Sequence, residues 1–431
     1  MKNLLADEYE EWLKFYNSGD VFRGLRVNTL KCGADKLAKH IGFELKPTPF
    51  CRDGFYIPSE ITGIGNHPLH HAGAFYVQEP SATSAVTMLG VQKGDRVLDL
   101  CAAPGGKSTQ IACALGGEGL LWSNEIVKNR AIILLSNIER MGVRNAVVSN
   151  CRPDALCDRL RGYFDRVLVD APCSGEGMFR KNSAAEEWSV EHVKSCADRQ
   201  LKILNSAKSA LKENGVLVYS TCTFSREENE GVIERFLAEN PDFVLEDSGV
   251  SFGRPTLGYA RRIFPMDGGE GHFAARLRKR SYEPSVPETR RKTDKLPDAV
   301  AEFYTTVFRD KPFGESLSIV GDKILAFDKP LPDTKGLSVL RSGVLLGELR
   351  KNRVEPHHCA FMAAGAEDCA ERVDFDCDSD QIRRFLHGEE LEIASDLKGY
   401  TAVTVNGVTV GFGKASGGRL KNKYPKGLRT L

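Results

Sequence analysis

Two cysteines lie in short polar segments that each follow an apolar run: Asp170-Ala171-Pro172-Cys173-Ser174-Gly175-Glu176-Gly177 and Ser220-Thr221-Cys222-Thr223-Phe224. A third segment, Asp99-Leu100-Cys101-Ala102-Ala103-Pro104-Gly105-Gly106-Lys107, is a Gly-rich turn after another apolar run. A thiol is a strong nucleophile only as thiolate, and partial positive charge at a helix start lowers its free pKa of roughly 8.5. Glycines let a backbone approach a ligand closely, and free amides at a helix start donate to it. In an open parallel sheet, ligands bind at the carboxyl ends of the strands. All three segments are therefore expected to face one crevice. Asp170, two thiols and a cofactor turn together predict covalent chemistry on an electrophilic ring, with a group donated by the cofactor. Glu125 follows Gly105 by 20 residues and ends the next apolar run, the place of an acid that binds two ribose hydroxyls.

Each feature has a plainer counterpart. Gly106-Lys107-Ser108 resembles the end of a phosphate-binding loop, but that loop needs a Gly where Cys101 stands, and G-x-G-x-x-G is absent. A Gly-rich turn can join strand and helix with no ligand. A cysteine is usually a small buried hydrophobe, the reading adopted for Cys32, Cys51, Cys113, Cys151, Cys157 and Cys196. Asp170 is either a helix cap or a hydrogen-bond partner for a ring nitrogen. No Cys-x-x-Cys pair occurs among the 12 cysteines, which argues against a zinc ribbon. Asp374–Asp380 mimics a calcium loop but has Ser379 at the sixth position and Phe385 at the twelfth. No metal site is read.

The elements that must position these residues follow from periodicity. Arg96–Ala102, Leu120–Ile126, Ala146–Ser149, Arg166–Val169 and Gly215–Ser220 read as buried strands. Lys107–Leu115, Lys128–Arg140, Trp188–Leu211 and Arg226–Glu239 read as helices between and after them. The alternation predicts an α/β, doubly wound sheet over residues 76–280. Residues 1–75 form a small N-terminal α/β domain. Residues 281–297, with Pro284, Pro287 and Pro297, read as a linker. Residues 298–431 are strand-rich, and Asn406-Gly407 between β-branched runs marks a hairpin. The 431 residues carry a net charge of only +1, so a nucleic-acid surface must be local. One candidate is the tail from Lys414, with six positive charges and no acid in 18 residues and Tyr424 for stacking. The charged start is no signal peptide, no segment is apolar enough to span a bilayer, and free thiols suit a reducing cytoplasm.

Together the blocks Arg26–Lys31, Tyr76–Ser81, Asp99–Lys107, Asp170–Lys181, Tyr219–Phe224 and Gly271–Arg276 resemble the Nop/Sun (Fmu-type) RNA cytosine-5 methyltransferases over roughly residues 20–280. Residues 298–431 resemble the C-terminal extension of the RsmF-like branch, which ends in a PUA-like RNA-binding domain. The resemblance implies a Rossmann-like enzyme that methylates carbon 5 of cytidine in small-subunit (16S) ribosomal RNA. Its implied cofactor is S-adenosyl-L-methionine, bound by Cys101, Ala102, Ala103, Pro104, Gly105, Gly106 and Lys107, with Glu125 on the ribose. Cys222 is the implied nucleophile, Asp170 the contact to the base, and Cys173 the group that assists release.

One position departs from the family. Where an Asp often holds the adenine, this chain has Asn150, with Asp154 beyond it. Arg26, Arg180, Lys181, Lys421 and Lys423 are the expected RNA contacts, and a base inside an RNA helix must be unpaired or flipped out to react. Transfer RNA as substrate, and an idle RNA-binding assembly factor, are the rival readings. No membrane partner is expected, and a monomer is the default.

Overall fold

A strand covered on both faces needs side chains that are apolar throughout, and the continuous runs form such strands. The structure, a computed structural model, describes residues 1–19, 21–180, 188–289 and 295–430. Five parallel strands are Arg96–Asp99 (β1), Leu120–Asn124 (β2), Ala146–Ser149 (β3), Phe164–Asp170 (β4) and Leu211–Thr221 (β5). Their order is β3-β2-β1-β4-β5, so chain order reverses between β1 and β4. That switch opens a crevice at the carboxyl ends.

Alternate residues serve opposite faces. Val97, Leu121, Val148 and Leu168 pack with helices Ser84–Leu89, Gly106–Leu115 and Lys128–Arg140. Leu98, Trp122, Val147 and Val167 pack with Pro153–Arg159, Val190–Ala210 and Glu230–Glu239. The expected doubly wound architecture is present, extended by antiparallel strands. His272–Lys279 runs antiparallel to β5, and Val339–Ser342, far along the chain, adds antiparallel to β3.

Some boundaries differ from the sequence expectation. The helix expected from Arg226 begins at Glu230, because Glu228 and Asn229 are turned toward the cysteine loops. The segment read as a linker is anchored where it is described. The Val286 amide donates to Arg161 O at 3.1 Å, Glu288 pairs with Arg96 at 2.8 Å, and Glu288–Thr289 pairs with Leu331–Pro332.

The N-terminal sheet consists of Lys46–Pro47, Gly54–Tyr56, Gly24–Val27 and Phe75–Val77. The C-terminal region has a four-stranded sheet and then a five-stranded one. In the latter, the Asn406-Gly407 turn joins Gly399–Val405 to Val408–Ser416, with φ of 46° and 71°, as a two-residue hairpin requires. Leu25, Val27, Leu37, Phe55 and Phe75 share one core with Ile382, Phe385, Val403, Val410, Leu420 and Tyr424. The two ends of the chain therefore bury each other. Among the described residues no helix is long and apolar enough to cross a membrane.

Candidate active site

The Gly-rich turn leaves β1 at Asp99 and enters helix Gly106–Leu115. Gly105 sits at φ 115°, and a Cβ there would meet Leu134 Cδ1 at 3.2 Å, so conformation and space both demand glycine. Arg130 Nη2 donates to Ala103 O at 2.9 Å and Asn137 Nδ2 to Pro104 O at 2.9 Å, fixing the turn against the next helix. The Ala102 amide donates to Asn124 O at 2.8 Å. Burial, then the charges of Asp99, Asp170 and Glu125, push the Cys101 thiol well up. Cys101 therefore lines the turn as a neutral thiol.

Asp99 is fully buried, accepts from Ser108 Oγ at 2.7 Å, and has no donor for Oδ1. Burial pushes its carboxyl up to about 7, against the Ser108 hydrogen bond. An unfolded Asp titrates near ~3.9, so the folded state holds the extra proton between there and about 7. Stability from this group is lost as pH rises through that window. Asp99→Asn keeps an acceptor for Ser108 and removes the ionisation. Its Tm should exceed that of the parent at pH 8, and the gain should vanish toward pH 4. A gain that is the same at both pH values would show that Asp99 does not titrate.

Glu125 follows β2 and is buried. Its Oε1 accepts the Val127 amide at 2.9 Å, and Oε2 lies 3.6 Å from Arg130 Nη1. Asn150 follows β3 and donates Nδ2 to Glu125 O and Ile126 O at 2.7 and 2.9 Å, which shapes the acid's loop. Asp154 is bound to Arg152 on the surface, leaving Asn150 nearer the crevice.

Across the switch, Lys107 Nζ donates to Asp170 Oδ2 at 2.7 Å, and Ser220 Oγ donates to Oδ1 at 2.8 Å. Burial is the largest influence and would raise the Asp170 carboxyl, but Lys107, His272 and the hydrogen bonds from Lys107 and Ser220 together hold it below the usual carboxylate range. His272 Nε2 stands 4.0 Å from Oδ1. Burial and then Lys107 bring His272 down to about 3, so it is neutral at ordinary pH, and neither ring nitrogen has a hydrogen-bond partner among the described residues. His272 belongs to the block Gly271–Arg276 but was not singled out in the sequence.

Cys173 and Cys222 meet with Sγ···Sγ 3.3 Å, both as free thiols. The hydrogen bond that the Cys173 S–H donates to Cys222, then burial, raises Cys173 well above an ordinary thiol. Lys107 also feels the charge of Cys222, so the ammonium faces both the carboxylate and the sulfur. The loops are held by residues that sequence reasoning missed. Buried Glu228 accepts the Ser174 amide at 3.0 Å, the Ser174 hydroxyl, and Gln200 Nε2 at 2.8 Å. Ser174 Oγ is 2.8 Å from Thr223 Oγ1, and Asn229 Nδ2 donates to Thr223 O at 2.9 Å. The available signal was the polar run Ser225-Arg-Glu-Glu-Asn229, which has no apolar helix period.

Several expected RNA contacts point inward instead. Arg26 is 1 % exposed. Its Nη2 donates to Thr109 Oγ1 at 2.7 Å and Gly106 O at 3.2 Å, tying the N-terminal sheet to the cofactor-turn helix. Arg180 has a side chain 6 % exposed and lies 3.7 Å from Glu270. Arg26 is met by neutral acceptors and Arg180 by a carboxylate, because burial leaves their charges no solvent. Tyr424, expected to stack, is buried in the shared core. Lys423 pairs with Glu355 at 3.4 Å, whereas Lys421 is exposed and has no acidic partner among the described residues. Lys181 lies outside the described residues.

Comparisons with known proteins agree with this architecture. Residues 86–278 match the family described as 16S rRNA methyltransferase RsmB/F. Residues 1–80 match the N-terminal domain of 16S rRNA methyltransferase RsmF, 302–363 the first C-terminal domain of RsmF rRNA methyltransferase, and 372–430 the RsmF PUA domain. Ribosomal RNA small subunit methyltransferase F of Vibrio vulnificus is 35% identical, covering 94% of this chain and 91% of its own. A methyltransferase homolog from Pyrococcus horikoshii is similar in structure, with TM-score 0.55 and 31% identity over 60% of this chain and 87% of its own. NSun6 from the same organism, solved with SFG, has TM-score 0.58 and 25% identity over 65% and 96%. The 35% identity over nearly the whole chain, with the methyltransferase match over the parallel sheet and RsmF-type domain matches at both ends, places this chain in the 16S rRNA methyltransferase RsmB/F family.

Proposed function

We propose that this chain transfers a methyl group from S-adenosylmethionine to carbon 5 of a cytidine in small-subunit ribosomal RNA, through a covalent bond between Cys222 and the base. The observation that carries the reading is the 3.3 Å contact of two free thiols beside the Lys107–Asp170 pair. The name of the Vibrio relative supports the RNA class.

The crevice fits the cofactor. Asp99 Oδ1 is a buried acceptor with no donor among the described residues, and Gly105, at φ 115°, keeps the turn's backbone free of a side chain. Cys101 through Lys107 would hold it, with Glu125 at the ribose and Asn150 toward the adenine. When bound, S-adenosylmethionine supplies an electrophilic methyl group.

The chain's own residues do the rest. The Cys222 thiolate adds to carbon 6, which breaks the ring's aromaticity and places electron density on carbon 5. Asp170 is ionised, so it accepts from the exocyclic amino group rather than donating a proton to ring nitrogen 3. Lys107 supplies the positive charge that stabilises the spread density. Once Cys222 is bonded to carbon, Cys173 loses the hydrogen bond that most raises it. Cys173 then gives its own proton to solvent water, and the resulting thiolate takes the proton from carbon 5 once that carbon carries the methyl group; the carbon 5–carbon 6 double bond reforms, and Cys222 leaves as thiolate.

The test uses small-subunit ribosomal RNA fragments carrying 5-fluorocytidine, whose fluorine cannot leave as a cation. With cofactor present, a protein–RNA adduct stable on denaturing gels is expected. If no fragment gives an adduct, the covalent reading fails.

A further inference from the structure

We propose that the cavity beside the Cys222 loop is a stacking slot for the unpaired base next to the target cytidine, with Trp188 as its platform. The inference rests on the RNA reading above. The cavity measures about 690 Å³, and its walls include Trp12, Tyr16, Phe179, Trp188, Phe224 and Arg226. Phe224 is two residues from Cys222, a reach of at most ~7 Å of chain, so one loop carries both the nucleophile and a wall of the slot.

Trp188 is 41% exposed, an unusual position for so large an aromatic. It is also fixed in place. Its indole Nε1 donates to Glu176 Oε1 at 3.0 Å, and the other oxygen of Glu176 accepts the Phe224 amide at 3.0 Å. The Gly177 amide donates to Cys222 O at 2.9 Å. A Cβ on Gly177 would lie 2.9 Å from that same oxygen, so the turn closes tightly on the nucleophile loop. The exposed indole and the reacting thiol are therefore carried by one hydrogen-bonded unit.

The far wall is aromatic too. Trp12 meets Phe224 edge-on at 6.4 Å and stacks on Tyr16 at 4.7 Å. The Trp12 indole N–H is buried with no acceptor among the described residues. Lys194, Arg226 and Glu227 are the exposed charged residues of the lining, and the two cations are the groups that phosphates of a strand would meet. A flipped cytidine leaves its neighbour with one unstacked face. A rigid aromatic face replaces that stacking whatever the base, since every base offers a π-face.

The probe is a short unstructured oligoribonucleotide with one 5-fluorocytidine and 2-aminopurine riboside on its 5′ or 3′ side. Binding to the full chain with cofactor should quench the 2-aminopurine on one side only. Trp188→Ala should abolish the quenching and weaken binding about 5- to 150-fold, while Trp188→Phe should retain most of both. With an abasic residue at that side, Trp188→Ala should have no further effect. An absence of quenching with the parent chain, or quenching that survives Trp188→Ala, overturns the slot. The adduct is read on the same probe. An adduct without quenching sinks the slot alone, and quenching without an adduct supports the slot while sinking the covalent reading.

Discussion

Cys222→Ala should abolish methylation, lowering the rate by at least about four orders of magnitude, because the neighbouring Cys173 is held as a thiol and does not add to carbon 6. Cys173→Ala should instead leave RNA attached to the protein on denaturing gels. The two thiols touch at 3.3 Å, so distance alone does not separate attacker from assistant. The asymmetry lies in their surroundings. Cys222 faces Lys107, whereas Cys173 is raised by Cys222 and by burial. Cys173 is thus protonated at rest and suited to act only after its partner is bonded. An adduct with Cys222→Ala and none with Cys173→Ala would reverse the roles.

Lys107→Met should be nearly as damaging, and in two separable ways. It removes the charge opposite the carboxylate and sulfur, with an expected loss of about 10²–10³ in rate. It also leaves Asp170 ionised without a partner, at about 3 kcal/mol of stability, the low end for a buried pair because Asp170 keeps some exposure. As pH falls toward 5 the orphaned carboxyl takes up a proton, so that deficit should shrink. Adding Asp170→Asn should restore stability but not activity, as read by thermal melts and methyl incorporation. If the double variant regains activity, Lys107 serves only to neutralise Asp170.

The crevice was legible in sequence because its signals are local. An apolar run, a polar stop and a glycine pattern each occupy fewer than ten neighbouring residues, and strand ends converge by topology. Partner choice is not local. Lys107 finds Asp170 63 residues away, and Glu228 finds Ser174 54 residues away. The same limit explains Arg26 and Arg180. A basic side chain reads alike whether it faces phosphate or closes an internal pair, and only the packing of the N-terminal segment decides. His272 was hidden differently: its register beside β5 places it by Asp170, and nothing in its neighbours announces that.

The shared core of the first and last sheets has a consequence for synthesis. Leu25, Leu37 and Phe55 emerge from the ribosome more than 300 residues before Val403, Val410 and Leu420. Until those arrive, the opening segment has an apolar face with nothing to cover it, and contacts closed over so long a separation form late. The chain therefore fastens like a belt whose buckle is made last. Trimming the final 60 or so residues would do more than remove an RNA-binding appendage, because the beginning of the protein would be left without its inside.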